Sequence, residues 1–379
     1  MTKESGYSFY SYWGKVKEGK DGEYSWHLLP YHCLDVAATG KAYLESRHEL
    51  LKSICEALQC DLAEFVNWFS FLLSIHDLGK FSSSFQSLKK GLSEELTKAE
   101  NSFSYSERHD TIGFVLWKKE LRKEWKNKSQ FEGHAELDNS TLDFWFGLSA
   151  GHHGIPARFT NNRGQELRGK DYFEKWDKDN ARLFLEEVTK LFFPGKIPTQ
   201  LICRNINKSL KKVSWQLAGV ITLSDWIGSN QENFGYLRDS LPLEEYWEAI
   251  ALPKAKEAVE KLPSNAPQVR KFDSMRHLFP FIKQATPLQK MVENIPLDQS
   301  PQLFILEDVT GAGKTEAALI LSHHLMEAGL ADGIYIGLPT MATAFPINMG
   351  MNRYKRCLKS STVSVPHKHG DEPSIALLQ

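Results

Sequence analysis

The sequence predicts a mainly helical domain over residues 1–240, followed by the beginning of an α/β nucleotide-binding lobe. Apolar residues recur at helical spacing through the first part, and histidine- and aspartate-bearing blocks interrupt them. The order then changes near residue 303 to short apolar run, glycine-rich loop, helix and second apolar run. That is how a parallel nucleotide-binding sheet opens.

In the first part, Leu62, Phe65, Phe69, Leu72 and Leu73 define a buried helical face within 58–75. Residues 141–149, with Phe144, Trp145 and Phe146, read as a helix leading into His152 and His153, and 180–191 and 213–228 read as two more. A polar insertion between His153 and Asn180 carries Arg158, Arg163, Arg168 and Lys170. Pro242, Pro253, Pro263 and Pro267 punctuate 241–273, the expected linker to a partial lobe over 274–379.

At 379 residues, two domains are the natural reading. The hydrophobic fraction of 41% and charged fraction of 25% are those of an ordinary soluble protein, and the formal net charge of −1 supplies no global attraction for nucleic acid. Five cysteines, none in a Cys-x-x-Cys pair, argue against a disulfide framework or structural zinc site. With no signal peptide apparent and no apolar run long enough to cross a bilayer, the expectation is a cytoplasmic protein without a membrane partner.

Five histidines and two aspartates carry the chemistry: His32, His76 with Asp77, His109, His152 with His153, and Asp225. Imidazole and carboxylate together suit first-row transition metals, and an aspartate beside a histidine at a helix end can bridge two cations while the histidine binds one. Two cations about 3.5–4 Å apart bind a phosphodiester and activate water for in-line attack. Taken singly, His32 and His109 read as partly exposed bystanders and the His76-Asp77 pair as a common dipeptide. Asp225, within an apolar helix, is costly to bury without a partner. The joint pattern carries the reading.

The blocks HLLPYHCLDVAA (27–38), SIHDLGKFSSSFQ (74–86), RHDTIG (108–113), GHHG (151–154) and TLSDWIGS (222–229) resemble the HD-type nuclease domain of the CRISPR-associated nuclease–helicase of type I interference systems. They fall in the family's order and cover most of residues 1–230. The resemblance implies a mainly α HD-type phosphohydrolase domain followed by the beginning of an α/β RecA-like helicase lobe. It implies two divalent transition-metal ions (Mn, Fe, Co or Ni), one held by His32, His76, Asp77 and Asp225, the other by Asp77, His109, His152 and His153. Lys80 matches a lysine near the scissile phosphate, so Asp77 and Lys80 are the expected catalytic pair. His27, Asp35 and Asp110 fall outside the ligand set. The implied activity is antiviral, metal-dependent cleavage of single-stranded DNA, the displaced strand of an R-loop, alongside a guide-RNA interference complex.

The run Asp308-Val-Thr310-Gly311-Ala312-Gly313-Lys314-Thr315 carries aspartate at the first glycine position of the general phosphate-loop pattern, as superfamily 2 helicases tolerate. Lys314 is expected to reach the phosphates of ATP and Thr315 to help hold Mg. Gln289, in Thr286-Pro-Leu-Gln, resembles the adenine reader, and Thr340 lies in a segment like the first DNA-contacting motif, though an ordinary strand-to-helix turn is an alternative. Past the loop, Asp371-Glu372 follows no apolar strand, so helicase and ATPase activity are expected of full-length relatives and not of this chain. Arg158, Arg163 and Arg168, and a second run of Arg353, Lys355, Arg356 and Lys359, are candidate DNA contacts or simply solvated surface. Two other readings stand beside the nuclease. One is an HD phosphohydrolase acting on nucleotides with an ATP-sensing module, and the other is a non-catalytic docking fragment.

Overall fold

The structure is a computed structural model that describes residues 8–19, 22–89, 91–97, 103–127, 137–161, 163–237, 240–262, 269, 271–331, 333–336 and 376–378. It divides into two compact units, residues 1–261 and 262–379.

The first unit is built around one buried helix. A hairpin of β1 (Trp13–Glu18) and β2 (Tyr24–Leu28) runs directly into α1 (Leu29–Ser46), which opens with Pro30 in its first turn. Every residue of α1 from Leu29 to Gly40 is buried, so α1 is wrapped on all sides. Helices α2 (His48–Leu58), α3 (Leu62–Ser74), α8 (Asn207–Gly228) and α9 (Leu252–Glu260) pack on or beside it. The α3 helix starts where the Asp61 carboxylate accepts the Ala63 and Glu64 backbone N–H groups. Its aromatic face joins Trp68 and Phe71 to Trp125, Trp145 and Phe193, and the indoles of Trp125 and Trp145 donate to Thr189 and to the Leu201 carbonyl.

Around that centre lie α4 (Ser83–Gln86), α5 (His109–Leu116, continuing helically through 117–126), α6 (Asn139–Ala150) and α7 (Lys175–Phe192). The helices read from the sequence are all present, with ends shifted by a few residues. Two expectations differ. The hairpin over 13–28 stands in a part read as mostly helical, with no strand singled out there; its alternating Tyr24-Ser-Trp-His-Leu run and Gly22, with φ of +82°, are the local signals for it. Residues 243–260, within the expected linker 241–273, are continuous helix buried against α1 through Ala251, Ala255 and Ala258. Pro253 lies inside this helix, directly after a π-helical turn over 247–251 that locally loosens the hydrogen-bond ladder where its N–H is missing.

In the second unit, α10 (Met275–Leu278), α11 (Pro287–Glu293) and α12 (Lys314–Glu327) bury Met275, Leu278, Leu288, Val292, Ala317 and Ile320 together. Among the described residues the two expected strands do not pair with each other. Leu303–Leu306 makes no strand pairing among the described residues, and Leu303 and Ile305 are 87% and 75% exposed. Strand β3 (Ile334–Ile336) pairs antiparallel with β4 (Ala376–Leu378). Apolar runs locate extended segments, but the partner and direction of a strand are set by long-range pairing that a run of residues does not encode. Thr340, Arg353, Lys355, Arg356, Lys359 and Asp371-Glu372 lie outside the described residues.

Fully buried Asp177 ties three segments of the first unit together. Its carboxylate accepts from the Tyr12 hydroxyl at 2.9 Å, from the Ser83 N–H and hydroxyl at 2.8 and 2.7 Å, and from the Glu174 N–H at 2.9 Å. Replacing it with alanine strands several buried donors at once. Asp177→Ala is expected to lower stability by about 2–4 kcal/mol, read as an earlier midpoint in urea unfolding followed by tryptophan fluorescence. An unchanged midpoint would show that the junction is held by packing alone.

Candidate metal centre

Five separate elements deliver the seven candidate ligands. His32 comes from the first turn of α1, His76 and Asp77 from the turn after α3, and His109 from the first residue of α5. His152 and His153 follow the end of α6, and Asp225 lies near the end of α8. The structure brings all seven together.

Asp77 is wholly buried, and its two oxygens face different partners. One, Oδ2, lies 3.0 Å from His32 Nε2, 3.2 Å from His76 Nε2 and 2.5 Å from Lys80 Nζ. The other, Oδ1, lies 3.3 Å from His109 Nε2 and 3.6 Å from His152 Nε2. Asp225 Oδ1 closes the first set, 3.9 Å from His32 Nε2 and 3.7 Å from His76 Nε2. His153 Nε2 closes the second, 3.1 Å from His109 Nε2.

The opposite edges of the rings are held by the protein. His76 Nδ1 donates to the Leu73 carbonyl at 2.7 Å and His152 Nδ1 to the Ser149 carbonyl at 3.2 Å, which leaves each Nε2 turned into the pocket. His109 Nδ1 lies 3.0 Å from the Tyr105 hydroxyl, which also accepts the His109 backbone N–H. Ser229 donates to Asp225 Oδ1 at 2.9 Å.

Burial lowers the pKa of His32, and the charges of Lys15 and Lys80 work in the same direction. Burial also depresses His109, takes His152 down to about 3 and, with His152 and His109 alongside, takes His153 down to about 2. These four rings are therefore neutral near pH 7, the form that donates a lone pair to a metal. Burial opposes ionisation of Asp77 and Asp225, yet both lie well below the usual carboxylate range. His76, Lys80 and His109 hold Asp77 there, and Lys15 and His76 hold Asp225. His76 is the exception: burial would lower it, but Asp77 and Asp225 outweigh that and push it up to about 9.

The donor set fits two divalent cations. His76 Nε2 and Asp77 Oδ1 are buried with no hydrogen-bond partner, and the facing nitrogens of His109 and His153 need a proton or a cation between them. The ligand atoms of His32, His76 and Asp225 lie within 4.8 Å of one another, as do those of His109, His152 and His153, and those of His76, Asp77 and His152. Nothing in the packing of the fold calls for so many imidazoles and carboxylates in one buried place, and bringing them there without a cation costs several kcal/mol per unpaired charge. His27 and Asp35 stand apart, bonded to each other at 2.7 Å, and Asp110 pairs with Arg108 at 3.1 Å.

A family model described as "Cas3, HD domain" matches residues 13–234, more than half of the chain. The chain belongs to the Cas3 HD-domain family. It is 30% identical over 357 residues to the CRISPR-associated endonuclease/helicase Cas3 of Thermus thermophilus, covering 91% of this chain and 36% of that protein. It is 26% identical over 363 residues to the CRISPR-associated endonuclease/helicase Cas3 of Escherichia coli, covering 88% and 38%. The chain therefore spans a little over a third of the length of these relatives. Among solved structures, a CRISPR-associated protein matches with a TM-score of 0.51 at 24% identity, covering 92% of this chain and 37% of the other. T. fusca Cas3 with ADP matches at 0.50 and 20% identity, covering 94% and 38%. These likenesses show the fold: a mainly helical HD domain followed by the beginning of the α/β lobe.

The Cas3 motif residues around Asp77 have structural reasons the sequence does not disclose. A Cβ at Gly79 would lie 1.7 Å from the His109 carbonyl oxygen, and one at Gly113 would lie 2.7 Å from the Gly79 nitrogen. Backbone thus packs on backbone, and that contact sets His109 against Asp77. Ser82 caps α4 by accepting the Phe85 N–H, and Gln86 donates to the Lys80 carbonyl at 2.7 Å. Tyr105 also escapes a reading of the sequence, since a tyrosine four residues before a histidine carries no pattern of its own.

In the second unit the Thr286 hydroxyl donates to the Ala312 carbonyl at 2.9 Å and Gln289 Nε2 to the Gly313 carbonyl at 3.3 Å, so the expected adenine reader lies on the phosphate loop. Gly311 and Gly313 have φ of +86° and +77°, which β-carbon-bearing residues rarely adopt. Lys314, at the start of α12, donates to the carbonyls of Asp308 and Val309 at the beginning of the loop.

Gly79→Ala is expected to displace His109 and reduce bound metal from about two ions to about one per chain, by elemental analysis of protein reconstituted with manganese. Retention of both ions would mean that His109 is not a ligand.

Proposed function

We propose that the N-terminal domain is a metal-dependent nuclease that cuts single-stranded DNA. One observation carries this reading: the two oxygens of buried Asp77 face two separate histidine sets. Asp77 would be shared by two divalent transition-metal ions, with His32, His76 and Asp225 completing the residues that would hold one and His109, His152 and His153 those that would hold the other. Bound there, the ions supply Lewis acidity toward a phosphodiester and lower the pKa of water.

The remaining steps fall to the chain's own residues. Lys80, buried beside Asp77, adds fixed positive charge where negative charge develops on the phosphate. The buried walls of the pocket exclude bulk water, which strengthens that attraction. Arg158, Arg163 and Arg168 are exposed on the segment just after His153 and are the proposed contacts for a strand leaving the pocket, although Arg168 also pairs with Asp171 at 3.0 Å. Since the named relatives are CRISPR-associated endonuclease/helicases, the proposed substrate is the displaced strand of an R-loop and the proposed partner a guide-RNA interference complex. The phosphate loop is proposed to bind ATP with Mg through Thr310, Gly311, Ala312, Gly313, Lys314 and Thr315, with Gln289 reading adenine.

Purified protein assayed on a single-stranded DNA circle across manganese, cobalt, nickel, iron and magnesium is expected to cut with transition metals at two ions per chain. Asp77→Ala is expected to lower cleavage by more than about a thousandfold while preserving the circular-dichroism spectrum. Hydrolysis of free nucleotides alone would favour a nucleotide phosphohydrolase, and unimpaired cutting by Asp77→Ala would remove the centre from the chemistry.

A further inference from the structure

A second lysine, Lys15, lies on the hairpin that packs against His32 of the same centre. Trp13 pairs with Leu28 and Lys15 with His27, so Gly14 is the extra residue of a β-bulge, a device that re-aims the side chain after it. The bulge lies directly on a candidate ligand. A Cβ at Gly14 would be 3.0 Å from Leu29 Cα and 3.1 Å from His32 Cβ, so the hairpin backbone rests on the His32 side chain. The cross-strand neighbour of Lys15, His27, is buried and bonded to Asp35 of α1 at 2.7 Å. Paired residues share a face of the hairpin, so Lys15, half-buried, shares the face that lies against α1.

The segment is also clamped to the other lysine of the pocket. The Gln86 side-chain amide accepts the Trp13 N–H at 3.3 Å and donates to the Trp13 carbonyl at 3.0 Å and to the Lys80 carbonyl at 2.7 Å. One buried amide thus sets the spacing of the two segments that bear Lys15 and Lys80. The electrostatics agree: after burial, the charge of Lys15 is the leading influence on both Asp225 and His32.

We propose that Lys15 is a second substrate-binding cation, which holds a phosphodiester oxygen on the His32–Asp225 side of the centre while Lys80 works beside Asp77. This rests on the nuclease reading above. With Asp225 and His32 occupied by a cation, the Lys15 ammonium would be repelled from those ligands, and its flexible stem would let it turn to a phosphate bound there.

The test measures metal content, KM and kcat for Lys15→Gln and Lys15→Arg on single-stranded DNA and on bis(p-nitrophenyl) phosphate. Lys15→Gln is expected to keep two ions per chain, raise KM about tenfold or more, and reduce the salt dependence of DNA binding by about 0.7 in log–log slope, with Lys15→Arg restoring most of the loss. A Lys15→Gln protein that loses metal, or regains full activity with excess metal, overturns the proposal in favour of a prop for Asp225; unchanged kinetics overturn it outright. If Lys15→Gln fails to fold, the wild type decides. A phosphorothioate strand that resists cleavage should protect Lys15 from acylation by an amine-reactive acetyl ester, read by mass spectrometry, and no protection overturns the proposal. A wild type that hydrolyses the small diester but not DNA sinks the DNA reading alone, and Lys15 is then judged on the diester. A wild type that hydrolyses neither sinks both.

Discussion

The first unit depends on one buried carboxylate with two faces. Asp77 is fully out of water, which strongly disfavours its charge, and it is ionised because imidazoles and a lysine surround it. That arrangement is expensive as pure structure. A domain of this size reaches stability more simply with apolar side chains, and a buried polar cluster is retained when it performs chemistry. Asp77 Oδ1 and His76 Nε2, buried without a hydrogen-bond partner, are the atoms a cation would satisfy, with the His76 proton released when it binds.

The rest of the unit serves that convergence. Helix α1 is buried on every side so that His32 sits at the centre and not on a face. The turn after α3 presents His76 and Asp77 together, the Gly79–Gly113 backbone contact brings α5 and His109 up against them, and Asp177 with Gln86 locks the serine-rich turn beyond Lys80. The residues of the 74–86 block are thus one mechanical assembly: ligands first, then the close-packed glycine, the charge, the helix cap and the clamp.

Much of the candidate site is legible in the sequence because its candidate ligands are chemically rare residues in distinctive short blocks. His32, His76, Asp77, His109, His152, His153 and Asp225 can be named without coordinates. Which oxygen of Asp77 faces which set cannot, since that depends on how five elements cross. Tyr105, Gln86 and Lys15 stay invisible for the same reason: tyrosine, glutamine and lysine are ordinary surface residues until packing aims them. Helices read well from periodicity. The hairpin leaves little trace because its strands are short and one carries a bulge, and the strand pairing of the second unit departs from expectation because pairing is a long-range property. The prolines around 243–260 suggest a linker, although Pro253, after a π-helical turn, is accommodated within a packed helix.

The bridging role of Asp77 is tested most directly by electron paramagnetic resonance on protein loaded with two equivalents of Mn(II). A carboxylate shared between two ions about 3.5–4 Å apart couples their spins, so an exchange-coupled spectrum is predicted, collapsing to isolated-ion signals in Asp77→Asn. Isolated-ion signals from the wild-type protein at two bound ions would contradict it.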